Sequence, residues 1–241
     1  PFAAGSYAGP GLFGSGVELK TALVIGQLLG YTLSKYVGIR VVSEARPSSR
    51  GRLLLGHVLA AELSLVLFAL LPRDAGPVAL FLNGLPLGMV WGLVVAPLEG
   101  RRLSDVLLVG LSLSFIVASG VVKDIGRSLM AAGVPERWMP ASTGALFVLP
   151  FGLAVLALQA LPPPSAADEA ARVRRRPMDG PARRDFLRRF GPGLVPLFVL
   201  YVLFTAYRDF RDNFGVERLR ELGYAEEPAL FTQTELPVAL G

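Results

Sequence analysis

Arg208 is the first charge after the uncharged run from Phe190 to Tyr207, and Asp209, Arg211 and Asp212 follow it at once. As a helix that run measures about 27 Å at 1.5 Å per residue, close to the thickness of a bilayer's hydrocarbon core. An arginine at this depth offers a planar fork that binds an oxyanion with two parallel hydrogen bonds. Arg211 shares its helical face, and the two aspartates would hold the arginines while no anion is bound. The plainer alternative is anchoring at the membrane surface.

A second constellation lies in GQLLGYTLSKYVG, where Gln27, Tyr31 and Lys35 repeat every four residues. Gly26, Gly30, Ser34 and Gly38 form a small-residue stripe on the adjacent face, of the kind that lets another helix approach closely. A close-packed seam beside a polar stripe suits a helix that lines a cavity; the competing reading is plain packing, with Lys35 snorkelling to the surface. Lys123 and Arg127 share a face further on, with Asp124 able to pair locally. That group reads either as an exterior helix end or as a cationic wall of a pathway. Gln27, Tyr31, Lys35, Lys123, Arg208 and Arg211 are thus the candidate ligands for an anion.

Glu62 is an acid deep inside an apolar segment. Burying its charge at mid-membrane costs about 2.5–3.5 kcal/mol on an insertion scale, so it is the candidate for proton coupling, with a structural pair as the alternative. The chain has no cysteine and one histidine, His57, which removes thiolate and His-rich metal sites. It contains no phosphate-cradling loop, no metalloprotease helix and no nucleophile elbow. No enzyme, metal or cofactor is expected.

The elements that must position these residues are long and apolar. Of 241 residues 52% are hydrophobic and only 18% charged, with a mean hydropathy of +0.51, whereas soluble domains are nearer a quarter charged. Apolar segments at 21–42, 53–72, 77–98, 103–122, 140–161 and 190–207 each have the length of a membrane span. The predicted fold class is all-α, a polytopic membrane helical bundle. The predicted domains are a first bundle over 1–162, a basic linker over 163–189 and the start of a second bundle over 190–241. Both ends read as internal to a longer protein.

Arginines concentrate on one side. They occupy the first connector, with Glu44, Arg46, Arg50 and Arg52, then Arg101 and Arg102, then the linker with eight arginines from Arg172 to Arg189. Positive charge favours the cytoplasm, so the linker is predicted to be internal. Its last part, ARRDFLRRF, is expected as a short amphipathic helix on the anionic inner leaflet. Topology accounts for the arginines, and no nucleic-acid partner is expected.

The segments GYTLSKYVG, SEARPSSR, FLNGLPLGM and VLYVLFTAYRDF resemble the major facilitator superfamily, in particular its organophosphate:phosphate antiporter branch. An uncharacterised bacterial family related to that branch is similar as well, notably over YRDFRDNF. The resemblance covers nearly the whole chain, read as the second to seventh helices of about twelve. It implies a partial major-facilitator-type fold, with Lys35 and Arg208 lining a central anion site, one from each half. The expected function is secondary transport of a small organic or phosphorylated anion by alternating access. A coupled proton, a monomeric state and a multi-pass location in the bacterial inner membrane go with it. The rival expectation is a transporter-like sensor that signals through its basic loop.

Overall fold

The computed structural model describes residues 1–44, 47–171, 180–224 and 229–240, and among these no strand is present. The helices are α1 (Leu19–Glu44), α2 (Pro47–Leu70), α3 (Gly76–Val95), α4 (Ser104–Ala131), α5 (Met139–Gln159), α6 (Ala166–Ala171), α7 (Gly180–Glu221) and α8 (Leu230–Leu240). Six of them, α1 to α5 and α7, are long and apolar enough to cross a membrane. That is the make-up of a multi-pass membrane protein. Large apolar side chains face outward on α7, such as Leu197, Phe198 and Leu203, each more than 60% exposed, as a lipid-facing surface requires.

The close contact of α1 with α3 follows from the small-residue stripe. A Cβ on Gly26 would land on the Pro77 carbonyl, and one on Gly30 on the Phe81 carbonyl. In return, Gly84 and Gly88 of α3 lie against the backbone of Gln27 and Tyr31. Ser34 packs beside Gly88, and Gly38 meets the Met89 side chain. Removing side chains from both helices brings the backbones together, which is how membrane helices gain dispersion energy. On its other side α3 packs on α2; α5 bridges α2 and α4, and α8 lies along α4.

A polar chain ties three of these helices together. Gln27 Nε2 donates to Asn83 Oδ1 at 2.8 Å, and Asn83 Nδ2 donates to the Ala61 carbonyl at 2.8 Å. Gln27 therefore cross-links α1, α3 and α2. Residues before α1 plug one end of the bundle: Phe2 and Tyr7 are buried with Leu19, Leu23, Phe68 and Leu80. Leu54, Leu93 and Val155 form a second apolar cluster toward the opposite end. Helices α4 and α7 both stop on a glycine in the left-handed region, Gly133 (φ 96°) and Gly223 (φ 88°), which lets the following amide bond back to the last turn.

Two elements differ from the sequence expectation. ARRDFLRRF is not a separate surface helix; it is the first part of α7, which runs unbroken for 42 residues through Pro192 and Pro196, about 63 Å. Helix α4 likewise continues nine residues past the predicted end at 122. Each extension is charged, and charge alone does not stop a helix once it leaves the hydrocarbon. Arg46 of the first connector lies outside the described residues; Arg50 is half-buried at the start of α2, and Arg52 is exposed.

Candidate functional site

A cavity of about 920 Å³ runs between α1, α3, α4 and α7. Tyr31 and Lys35 reach it from α1, Trp91 from α3, Lys123 from α4, and Arg208 and Arg211 from α7. Five of the six candidate anion ligands thus share one space. The sixth, Gln27, is committed to Asn83 and does not line it. Glu62 does not line it either; its carboxylate faces Gly144 of α5, where a Cβ would collide with it. Around the cavity the described residues place four cationic side chains, Lys35, Lys123, Arg208 and Arg211, against two carboxylates, Asp209 and Asp212. The balance is positive.

Each cation is held differently. Lys35 Nζ lies 4.9 Å from the centre of the Tyr31 ring, so the second turn-spaced pair of the polar stripe forms a cation–π contact. Arg208 Nη2 lies 2.9 Å from Asp209 Oδ1, and Nε of the same fork lies 3.3 Å away. Its guanidinium is 63% exposed, so a ligand can reach it. Lys123 is buried and donates to Asp212 Oδ1 at 3.3 Å, with the Phe231 ring 5.2 Å away. Asp124, expected to pair within its own helix, instead accepts from the Thr232 amide at 2.8 Å and its hydroxyl at 2.5 Å. The charge cluster of α4 is therefore used to hold α7 and α8.

At the end where α1 begins, Lys20 makes a 2.5 Å ion pair with Glu217 of α7, its side chain only 3% exposed. The same ammonium donates to the Ala3 carbonyl at 3.3 Å. The pair ties the start of α1 to the last turns of α7, as Lys123–Asp212 ties α4 to α7. Sequence reasoning missed Lys20, Glu217 and Glu235. One signal was present: the chain has three lysines among its 24 basic residues, and all three fall in apolar helices while the connectors carry arginine. The single histidine donates from Nδ1 to the Leu53 carbonyl at 2.6 Å, a contact within its own helix.

The opposite end is tied by the linker. Ser165 and Asp168 form a capping box: the Ser165 amide and hydroxyl both donate to Asp168 Oδ2 at 2.8 Å. Asp168 Oδ1 accepts the Arg102 amide at 2.8 Å, so the linker is fastened to the α3–α4 connector. The Arg102 amide, and then Ser165, hold this carboxyl at about 2, below the usual carboxylate range.

Residues 1–241 match a family of unknown function, DUF5690. The chain belongs to that family. No curated protein and no solved structure matches it.

Proposed function

We propose that the protein is a secondary transporter of a small organic or phosphorylated anion in the bacterial inner membrane. It would work by alternating access on a major-facilitator-type plan. The observation that carries this reading is the shared cavity: Lys35 on α1 and Arg208 on α7, 173 positions apart in sequence, open onto one space with a positive balance of charge. A cavity of this size has room for a metabolite, and its Tyr31, Trp91 and Phe115 rings suit the organic part of such a molecule. Substrate sites of such transporters lie near the midplane, between two groups of helices that rock against each other. Here α1 to α5 would form one group, and α7 and α8 the other. The ion pairs at the α1-start end would then keep the outer mouth shut while the site faces inward.

The test is uptake into vesicles of a panel of labelled carboxylates and phosphate monoesters. Arg208→Lys should cut uptake at least about tenfold at equal expression, because lysine keeps the charge but loses the two-pronged hydrogen bonds. Unchanged uptake in that variant would remove Arg208 from the site. One observation favours a metabolite sensor instead: α7 runs unbroken from the basic linker to the cavity wall. Binding without uptake, with a partner captured through the linker, would decide for the sensor.

A further inference from the structure

Glu235 of α8 is 5% exposed, between the polar run Thr232, Gln233, Thr234 and the apolar end of that helix. Its place is prepared on α4: a Cβ at Gly120 would sit 2.8 Å from Glu235 Oε2 and 2.9 Å from the Phe231 carbonyl oxygen. Oε2 is buried against that backbone with no well-formed hydrogen bond. The other oxygen, Oε1, lies 3.6 Å from Arg211 Nη2, close enough to feel its charge but beyond hydrogen-bonding reach. Arg211 is the link, since the same guanidinium lines the cavity.

The charged groups packed around Glu235 are Arg211 and Asp212 from α7, and Lys123, Asp124 and Arg127 from α4. Asp212 takes Lys123 at 3.3 Å and Arg211 at 3.4 Å. Asp124 takes both Thr232 donors. Arg127 lies over the Phe231 ring at 5.8 Å. If Arg211 turns to an anion in the cavity, Asp212 keeps its lysine and Asp124 keeps its two donors. Glu235 then loses its nearest cation and is left with the field of Lys123, which Asp212 already holds. A buried carboxylate left without a counter-charge is costly, and the cheapest remedy is protonation.

We propose that Glu235 is the proton-coupling group of this protein, taking up one proton from water when an anion in the cavity draws Arg211 away. The inference rests on the anion-transport reading and adds the coupling ion to it: anion and proton would travel together. It also moves the coupling role from Glu62, which does not line the cavity, to a residue that touches a cavity ligand.

Sulfate is the probe for the test, because its own charge does not change near neutral pH. The full chain in detergent is titrated with sulfate over a range of pH, in weak buffer with an indicator dye. The wild-type protein should take up about one proton per sulfate bound, and its affinity should fall about tenfold per unit rise in pH across the window where the carboxylate titrates. Glu235→Gln should bind sulfate with no proton uptake and no such slope, while Glu62→Gln keeps both. If Glu235→Gln does not fold, Glu235→Asp serves, and the pH at which uptake is half-complete should shift. Uptake unchanged in Glu235→Gln, lost in Glu62→Gln, or unshifted in Glu235→Asp overturns the proposal alone. Absence of sulfate binding at every pH overturns the anion reading and the proposal with it.

Discussion

Tyr7 shows how much a single side chain does at the plugged end of the bundle. Its backbone sits in the left-handed region at φ 50°, a conformation that costs energy for a residue with a side chain. Glu136 offsets the cost by accepting the Ser6 amide at 2.7 Å and the Tyr7 amide at 2.9 Å. The ring stands edge-on to Phe68 at 5.7 Å. Burial, reinforced by the Glu136 charge, pushes the phenol well above its ordinary range, so the group stays neutral. Its hydroxyl is buried without a hydrogen-bond partner, and a buried donor left unpaired costs about 1–3 kcal/mol. Tyr7→Phe keeps the ring and removes that cost. The variant is expected to gain about 1 kcal/mol, seen as a higher unfolding midpoint in detergent. A lower midpoint would mean that the hydroxyl has a partner in solution.

Among the elements, the α1–α3 pair carries the sharpest expectation. A Cβ on Gly84 would fall on the Gln27 carbonyl and lie 2.8 Å from the Tyr31 nitrogen. Neither backbone can give way without parting the helices. Gly84→Ala should cost about 1–3 kcal/mol and displace Tyr31 and Lys35 from the cavity wall. Gly56 on α2 has nothing within 4 Å, and Gly56→Ala should leave the unfolding midpoint unchanged or slightly higher. Equal effects of the two would mean that the seam is not tightly packed. The six spans were legible in the sequence because bilayer thickness dictates the length of an apolar run. The four-residue spacing of the stripe placed Gly26 and Gly30 on one face. Where α7 begins was not legible: Phe186 and Leu187 among arginines fit a helix on a membrane surface as well as one standing out of it. The partners of Lys20 and Asp124 were not legible either. Spacing reports neighbours on one helix, and these partners lie 197 and 108 positions away.

At the scale of the whole molecule, the Lys20–Glu217 pair joins α1 to the end of α7. Glu217→Gln would leave a buried ammonium without its carboxylate, at a cost of about 3–5 kcal/mol. The expected outcome is an opened end. The chain has no cysteine, so a single cysteine at Ala4, which is 2% exposed, reports the opening without background. Its labelling by a membrane-impermeant maleimide should quicken by about tenfold or more in the Glu217→Gln background. Labelling at the original rate would show that this pair does not hold the end shut. The unbroken length of α7 gives the same molecule a mechanical property. Pro192 and Pro196 each remove a helical hydrogen bond, which makes that stretch a fulcrum. About 24 Å of helix lies on the linker side of Pro196 and about 37 Å beyond it. A swing of about 10° at that stretch carries the tip beyond Pro196 roughly 6 Å. Because Glu217 lies further from the prolines than Arg208 does on the same arm, a small displacement of Arg208 becomes a larger stroke at Glu217.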